Sequence, residues 1–173
     1  MALLKPAQRL RGVAFAQLFF SHGDCPLIEA VSSENIEEVL PLIRKYQEFY
    51  KIQEIDDEKN RVFFSQFSEH GKDGCLFLFR DASGEAVAFA TVYFTYVSSI
   101  PARVGVMSDL YTLPAHRGKG IGKRLIDHCL EFARENGAVR LQWLTAQDNH
   151  LAQKLYDSLN TKKSAWNVYT YSG

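Results

Sequence analysis

From Leu27 onward, short apolar runs alternate with stretches in which apolar residues recur every three to four positions, the sequence form of a layered α/β or α+β domain. Leu27–Val31 predicts a short strand. Ser32 and Ser33 then offer an N-cap, with Glu34, Glu37 and Glu38 near the positive end of the helix that follows. Pro41 is expected to kink or restart that helix, which runs on through Ile43, Tyr46, Gln47 and Tyr50. A second helix over Asp57–His70 places Val62, Phe63 and Phe67 on one face. Cys75–Arg80 and Glu85–Val97 flank Asp81-Ala82-Ser83-Gly84, a hairpin turn with glycine where positive φ is needed. Arg103–Leu113 is a third antiparallel strand, rich in β-branched and aromatic residues. The next helix, Gly120–Asn136, carries Ile121, Leu125, Cys129 and Phe132 on a core stripe and stops at Gly137. Ala138–Thr145 reads as a strand reached through a helix and so entering near the centre of the sheet. Asn149 or Asp148 caps a last helix through Leu159, and Trp166–Tyr171 supplies a final strand.

Composition narrows the function classes. The 173 residues suit one domain, residues 27–173, preceded by an N-terminal extension of residues 1–26. That extension holds Lys5, Arg9 and Arg11 and the apolar run Gly12–Phe20, interrupted by Gln17. It makes a poor secretory signal, and packing on the domain is favoured over an organellar transit peptide. With 20 basic and 20 acidic residues, no net charge advertises nucleic acid or membrane, and no apolar run reaches the ~18 to 20 residues of a span. A small-molecule partner is expected. Cys25, Cys75 and Cys129 form no disulfide framework or CxxC pair, which fits a reducing, cytoplasmic setting. His22, His70, His116, His128 and His150 show no HExxH, so no metal is expected.

Chemistry concentrates at Asp109-Leu-Tyr-Thr-Leu-Pro-Ala-His-Arg-Gly-Lys-Gly-Ile-Gly-Lys-Arg124, a strand end followed by a glycine-rich loop that opens a helix. Such a loop presents backbone N–H groups at the positive end of a helix, where a pyrophosphate binds. Arg117, Lys119, Lys123 and Arg124 add four cations within eight residues. Gly118, Gly120 and Gly122 give GxGxG, which fits neither the GxGxxG dinucleotide loop nor a Walker A loop. By itself the loop could equally be a glycine-rich turn with solvated lysines.

Arg117-Gly-Lys-Gly-Ile-Gly122 resembles the acyl-CoA signature (Q/R)xxGx(G/A) of the GNAT acetyltransferase family, satisfied by Arg117, Gly120 and Gly122. Asn149-His-Leu-Ala-Gln-Lys-Leu-Tyr156 is similar to that family's second signature. Asp157–Thr161 departs from it, lacking the glycine and Phe that many members have there. The resemblance spans about Leu27 to Tyr171 and implies a mixed, mostly antiparallel sheet of six to seven strands flanked by four helices. It also implies acetyl-CoA as cosubstrate. Backbone groups of Leu110 and Thr112 would bond the pantetheine arm, and an N–H near Leu110 or Tyr111 would polarise the thioester carbonyl. N–H groups from Arg117 through Gly118, Lys119, Gly120, Ile121 and Gly122 to Lys123 would hold the pyrophosphate. Asn149 would contact pantetheine, be a helix N-cap, or do both, and Tyr156 would stand by the thioester sulfur. Tyr156 also fits on chemistry, since a phenol with pKa ~10 is protonated at neutral pH and can give its proton to a departing thiolate. Its alternative is a core aromatic.

A primary amine with pKa ~10.4 is about one part in a thousand neutral near pH 7.4, so a proton must leave before attack. Asp109 is the first candidate base, against a turn-ordering strand-end Asp; His116 reads as a loop residue. Val92–Val97, with Tyr46, Phe49 and Tyr50, resembles the polyamine and diamine branch of the family, together with its histone-and-polyamine relatives. Tyr46, Tyr50, Tyr93 and Asp109 are therefore the candidate substrate residues, with the aromatics as core the alternative. A protein Nα- or lysine acetyltransferase and a non-catalytic acyl-CoA sensor are the other readings. The resemblance implies a homodimer, through Trp166, Val168, Tyr169 and Tyr171, with a place for these residues in the core the alternative.

Overall fold

The computed structural model describes residues 26–68, 71 and 73–172, so the expectations for Gly12–Phe20, its flanking basic residues and Cys25 lie outside the described residues. In chain order the elements are β1 (Leu27–Ala30), α1 (Ile36–Phe49), α2 (Asp57–Phe64) and a 3-10 turn (Ser65–Phe67). There follow β2 (Gly74–Arg80), β3 (Ala86–Val97), β4 (Ala102–Thr112), a second 3-10 turn (Pro114–His116), α3 (Ile121–Glu135), β5 (Leu141–Gln142) and α4 (His150–Asp157). The strands lie in sequence order in one sheet, antiparallel through β4, with β5 parallel to β4.

Side-chain alternation divides the sheet between two helical layers. Leu76, Leu78, Phe89 and Tyr111 face α1, which buries Ile36, Val39, Leu40, Leu42 and Ile43 against them. Phe77, Phe79, Ala88, Ala90, Val92 and Met107 face α3, which buries Ile121, Leu125, Ile126 and Cys129. The β2–β3 turn is held by Asp81, whose Oδ1 accepts from the Ser83 and Glu85 amides at 2.9 and 3.2 Å, with Gly84 at φ 85°.

Two features position the site. In β4, Asp109 pairs with Thr91 but Met107 pairs with Val92, so Ser108 is an extra residue, a β-bulge. Met107 therefore faces α3 while Asp109, two residues on, shares the α1 face with Thr91. Second, β5 pairs with β4 only at Gly105 and Val106. Gly105 makes this junction possible, since a Cβ there would stand 2.9 Å from that of Ala133 on α3. Above it the strands part. The Leu113 amide donates to Val87 at 2.9 Å, and by antiparallel alternation Tyr111 and Asp109 also bond β3. The peptide groups of Leu110 and Thr112 thus face the side β5 has left.

Several expectations are corrected. Five strands form among the described residues, not six to seven, because Trp166–Tyr171 has no ladder partner and its large side chains are exposed. The strand expected over Ala138–Thr145 shortens to β5, which stands at the sheet's end rather than its centre, with no later strand on its far side. α1 starts at Ile36, after the serines, because the Asn35 carboxamide folds back to accept from the Ser32 amide at 2.8 Å. It then runs through Pro41 as one helix. α2 ends at Phe64 and buries Asn60 and Phe64, one turn apart, leaving Val62 and Phe63 exposed. No helix among the described residues is long and apolar enough to cross a membrane.

Candidate active site

The glycine loop joins the top of β4 to α3. Gly118 and Gly120 have φ of 76° and 78°, with open space where a Cβ would stand, so backbone conformation and not crowding selects glycine. The first helical bond of α3 runs from the Arg124 amide to Gly120 at 3.1 Å. The N–H groups of Ile121, Gly122 and Lys123 precede it, at the positive helix end, and form an anion cradle with the loop. Gly122 lies where α3 meets α4, since its Cβ would come 2.9 Å from Leu155 Cδ2.

The four cations disperse. Lys119 is exposed. Lys123 pairs with Asp127 one turn along α3. Arg124 turns away, donating to the Pro26 carbonyl at 2.9 Å and lying 4.9 Å from the Phe79 ring. Arg117 donates from Nε to the Thr112 carbonyl at 3.0 Å. The expectation of a positive cluster at the loop is thus narrowed, because Arg117, Lys123 and Arg124 each have a carbonyl, carboxylate or ring partner of their own.

On the α1 face, Asp109 is surrounded by the hydroxyls of Thr91, Tyr46 and Ser108, which favour its ionised form, while burial acts more strongly and raises its pKa. Thr91 Oγ1 is itself buried without a full hydrogen bond. Tyr46 reaches this carboxylate from α1; burial, then the Asp109 charge, then Tyr50 and Tyr156 raise its pKa. Its ring meets Tyr50, Phe89 and Tyr111 edge-on at 4.9, 5.7 and 6.1 Å between centres. Tyr156, on α4, packs against Trp143 at 5.2 Å, and burial with the nearby Tyr50 pushes its pKa up to about 12. The phenol is therefore protonated at any physiological pH.

The structure brings Asp109, Tyr46, Tyr50 and Tyr156 into one site. Tyr93 lies two residues from Thr91 on the same face, opposite Val106, and no ring contact among the described residues ties it to the cluster. Tyr111 is relocated, since its ring is buried beside Tyr46 and its peptide bonds β3, so the open N–H is that of Leu110. Asn149 caps α4, its Oδ1 accepting from the Ala152 amide at 3.2 Å. Thr91, Trp143 and the contact of Phe49 with Arg117 were not singled out from sequence; Thr91 depends on a strand register that no local pattern announces. The grouping with metal-ligand chemistry among the described residues is Asp81, Glu85 and His116, whose ligand atoms lie within 4.8 Å, with His116 Nδ1 3.7 Å from Asp81 Oδ2. It joins the hairpin turn to the base of the loop, apart from the tyrosines.

A parted pair of strands, an anion cradle and a buried acid–phenol pair are thus combined, and the sequence model of the Acetyltransferase (GNAT) family matches residues 37–160. The chain belongs to this family. It is an N-acetyltransferase, similar over 130 residues to an uncharacterized N-acetyltransferase of Bacillus subtilis, at 29% identity, covering 75% of this chain and 85% of that one. A thialysine N-epsilon-acetyltransferase of Caenorhabditis elegans is 28% identical over 153 residues, covering 84% and 91%. Among solved structures, an aminoglycoside N-acetyltransferase in complex with CoA shares the GNAT fold, with a TM-score of 0.71 at 17% identity, covering 87% and 96%.

Proposed function

We propose that the protein transfers an acetyl group from acetyl-CoA to a small cationic primary amine, of polyamine or diamine type, by direct attack in a ternary complex. The observation that carries this reading is the convergence of Asp109 and Tyr156, from β4 and α4, beside the parted ends of β4 and β5.

In this reading the pyrophosphate occupies the cradle formed by Gly118, Gly120 and the first amides of α3. The pantetheine arm lies along the open peptide groups of Leu110 and Thr112, where Arg117 already shares the Thr112 carbonyl. The Asp109 carboxylate, directly or through water, accepts a proton from the ammonium. The neutral nitrogen attacks the thioester carbonyl, and the Leu110 N–H stabilises the developing oxyanion. As the C–S bond breaks, the Tyr156 hydroxyl gives its proton to the thiolate, and the proton released by the new amide nitrogen restores the phenol. The Tyr46 and Tyr50 rings suit a cation at the acceptor. The Caenorhabditis elegans relative, named for acetylating the ε-amine of thialysine, supports a small amine as acceptor.

Two further expectations belong here. The buried thiol of Cys129 fits a reducing cytoplasm. The exposed Trp166, Val168, Tyr169 and Tyr171 fit burial in a homodimer.

The test is CoA release, read with a thiol dye, against polyamines, diamines, amino acids, aminoglycosides and N-terminal peptides. Turnover of a small cationic amine that falls about 100-fold in Tyr156→Phe supports the assignment. Acetyl-CoA binding without turnover on any amine would leave a binding module, and turnover of peptides alone would move the acceptor to protein.

A further inference from the structure

Arg117 touches two parts of the site that the chemistry uses separately. Its backbone opens the glycine loop, but its guanidinium lies 5.7 Å from the centre of the Tyr111 ring and 5.9 Å from that of Phe49, the last residue of α1. Phe49 meets Tyr50 edge-on at 5.2 Å, Tyr50 meets Tyr46 at 4.9 Å, and Tyr46 returns to Tyr111 at 6.1 Å. The four rings and the guanidinium close a circuit across α1, β4 and the loop.

Within the last turn of α1, Gln47 exchanges two 2.8 Å hydrogen bonds with Asn60 of α2, but beyond it the end of the helix is only partly covered. Its buried residues end at Ile43, and Phe49 and Tyr50 are both about half exposed. The helix has no basic residue in that turn, so its partial negative end is uncompensated from within. A guanidinium is suited to join this end to β4, since its planar face lies on the Phe49 and Tyr111 rings while the Nε–H fixes its edge on the Thr112 carbonyl, which a lysine cannot reproduce.

We propose that Arg117 is a positioning residue that fastens the last turn of α1 to the end of β4, so that the geometry of the glycine loop sets the placement of Tyr46 and Tyr50 at the acceptor. This rests on the acetyltransferase reading above for its kinetic consequence, but the tie itself is a property of the unliganded protein.

Arg117→Lys, Phe49→Leu and the double variant test it. In the unliganded protein, hydrogen exchange at the amides of Tyr50, Lys51 and Ile52, which bond the carbonyls of Tyr46, Glu48 and Gln47, is expected to accelerate in each variant while α3 is unchanged. Unchanged exchange overturns the proposal, whatever the enzyme acts on. With acetyl-CoA and the preferred amine, both single variants are expected to raise the amine KM about three- to tenfold, more than they lower kcat, and the double variant no further than the worse single. If Arg117→Lys instead weakens CoA binding by calorimetry and leaves the amine KM alone, or if the two effects multiply, Arg117 serves the pyrophosphate and not α1. Failure of wild type to bind CoA would sink the acetyltransferase reading while the exchange result still decides the tie.

Discussion

Asp109 is pulled two ways, by burial that favours its neutral form and by hydroxyls that favour its charge, and burial wins. As the base it must be ionised, so the acid limb of kcat/KM is expected above the ordinary carboxylate range, and Asp109→Asn should remove that limb along with most of the rate. The same shift has a stability consequence of fixed sign. A carboxyl with a raised native pKa binds more protons folded than unfolded, so its favourable contribution is complete below the unfolded value of about 4 and is lost as pH rises through the native one. Asp109→Asn is therefore expected to melt higher than wild type at pH 7 to 8, with the gap closing toward pH 4 in thermal scans. Tyr156 was legible as a protonated phenol from its residue type alone, and burial strengthens the assignment. Thr91 was not, because its place beside Asp109 is set by pairing across strands.

Among the elements, the glycines separate stability from binding. Gly105→Ala would drive a methyl group against Ala133, with no flexible chain end to yield, and is expected to cost about 1–3 kcal/mol in urea denaturation. Gly120→Ala meets no atom but forces φ 78° on an L-residue, so about 1–2 kcal/mol is expected, together with a raised acetyl-CoA KM. Sequence periodicity located β2, β3, β4 and α3 to within a residue or two, since each has a long stripe or alternation and an identifiable stop such as Gly84 or Gly137. It failed where the deciding contact lies elsewhere in the chain. Val62 and Phe63 obey a helical face that stays at least half exposed, with Phe63 packed on its neighbours Phe64 and Phe67, and Asn60 is buried because Gln47 of α1 bonds it from both amide atoms at 2.8 Å.

For the whole molecule, the alternating apolar pattern of Trp166–Tyr171 is that of a strand, but a strand also needs an edge to join. With these side chains exposed, sedimentation velocity at micromolar concentration is expected to give a dimer, and Trp166→Asp with Tyr169→Asp to shift it toward monomer. A wild-type monomer would remove the homodimer from the reading.

The extra residue at Ser108 has a consequence for how such a site can change. Below it β4 keeps one side-chain phase with the core under α3; above it the phase is inverted, and Asp109 and Tyr111 open toward α1. The strand thus carries scaffold and chemistry in two reading frames joined at one residue. Substitutions above the junction can alter the acceptor pocket without disturbing the core below it, whereas deleting Ser108 would make Met107 and Asp109 neighbours in one regular ladder, each keeping its face, and would take from the carboxylate the local kink of the strand and the hydroxyl beside it.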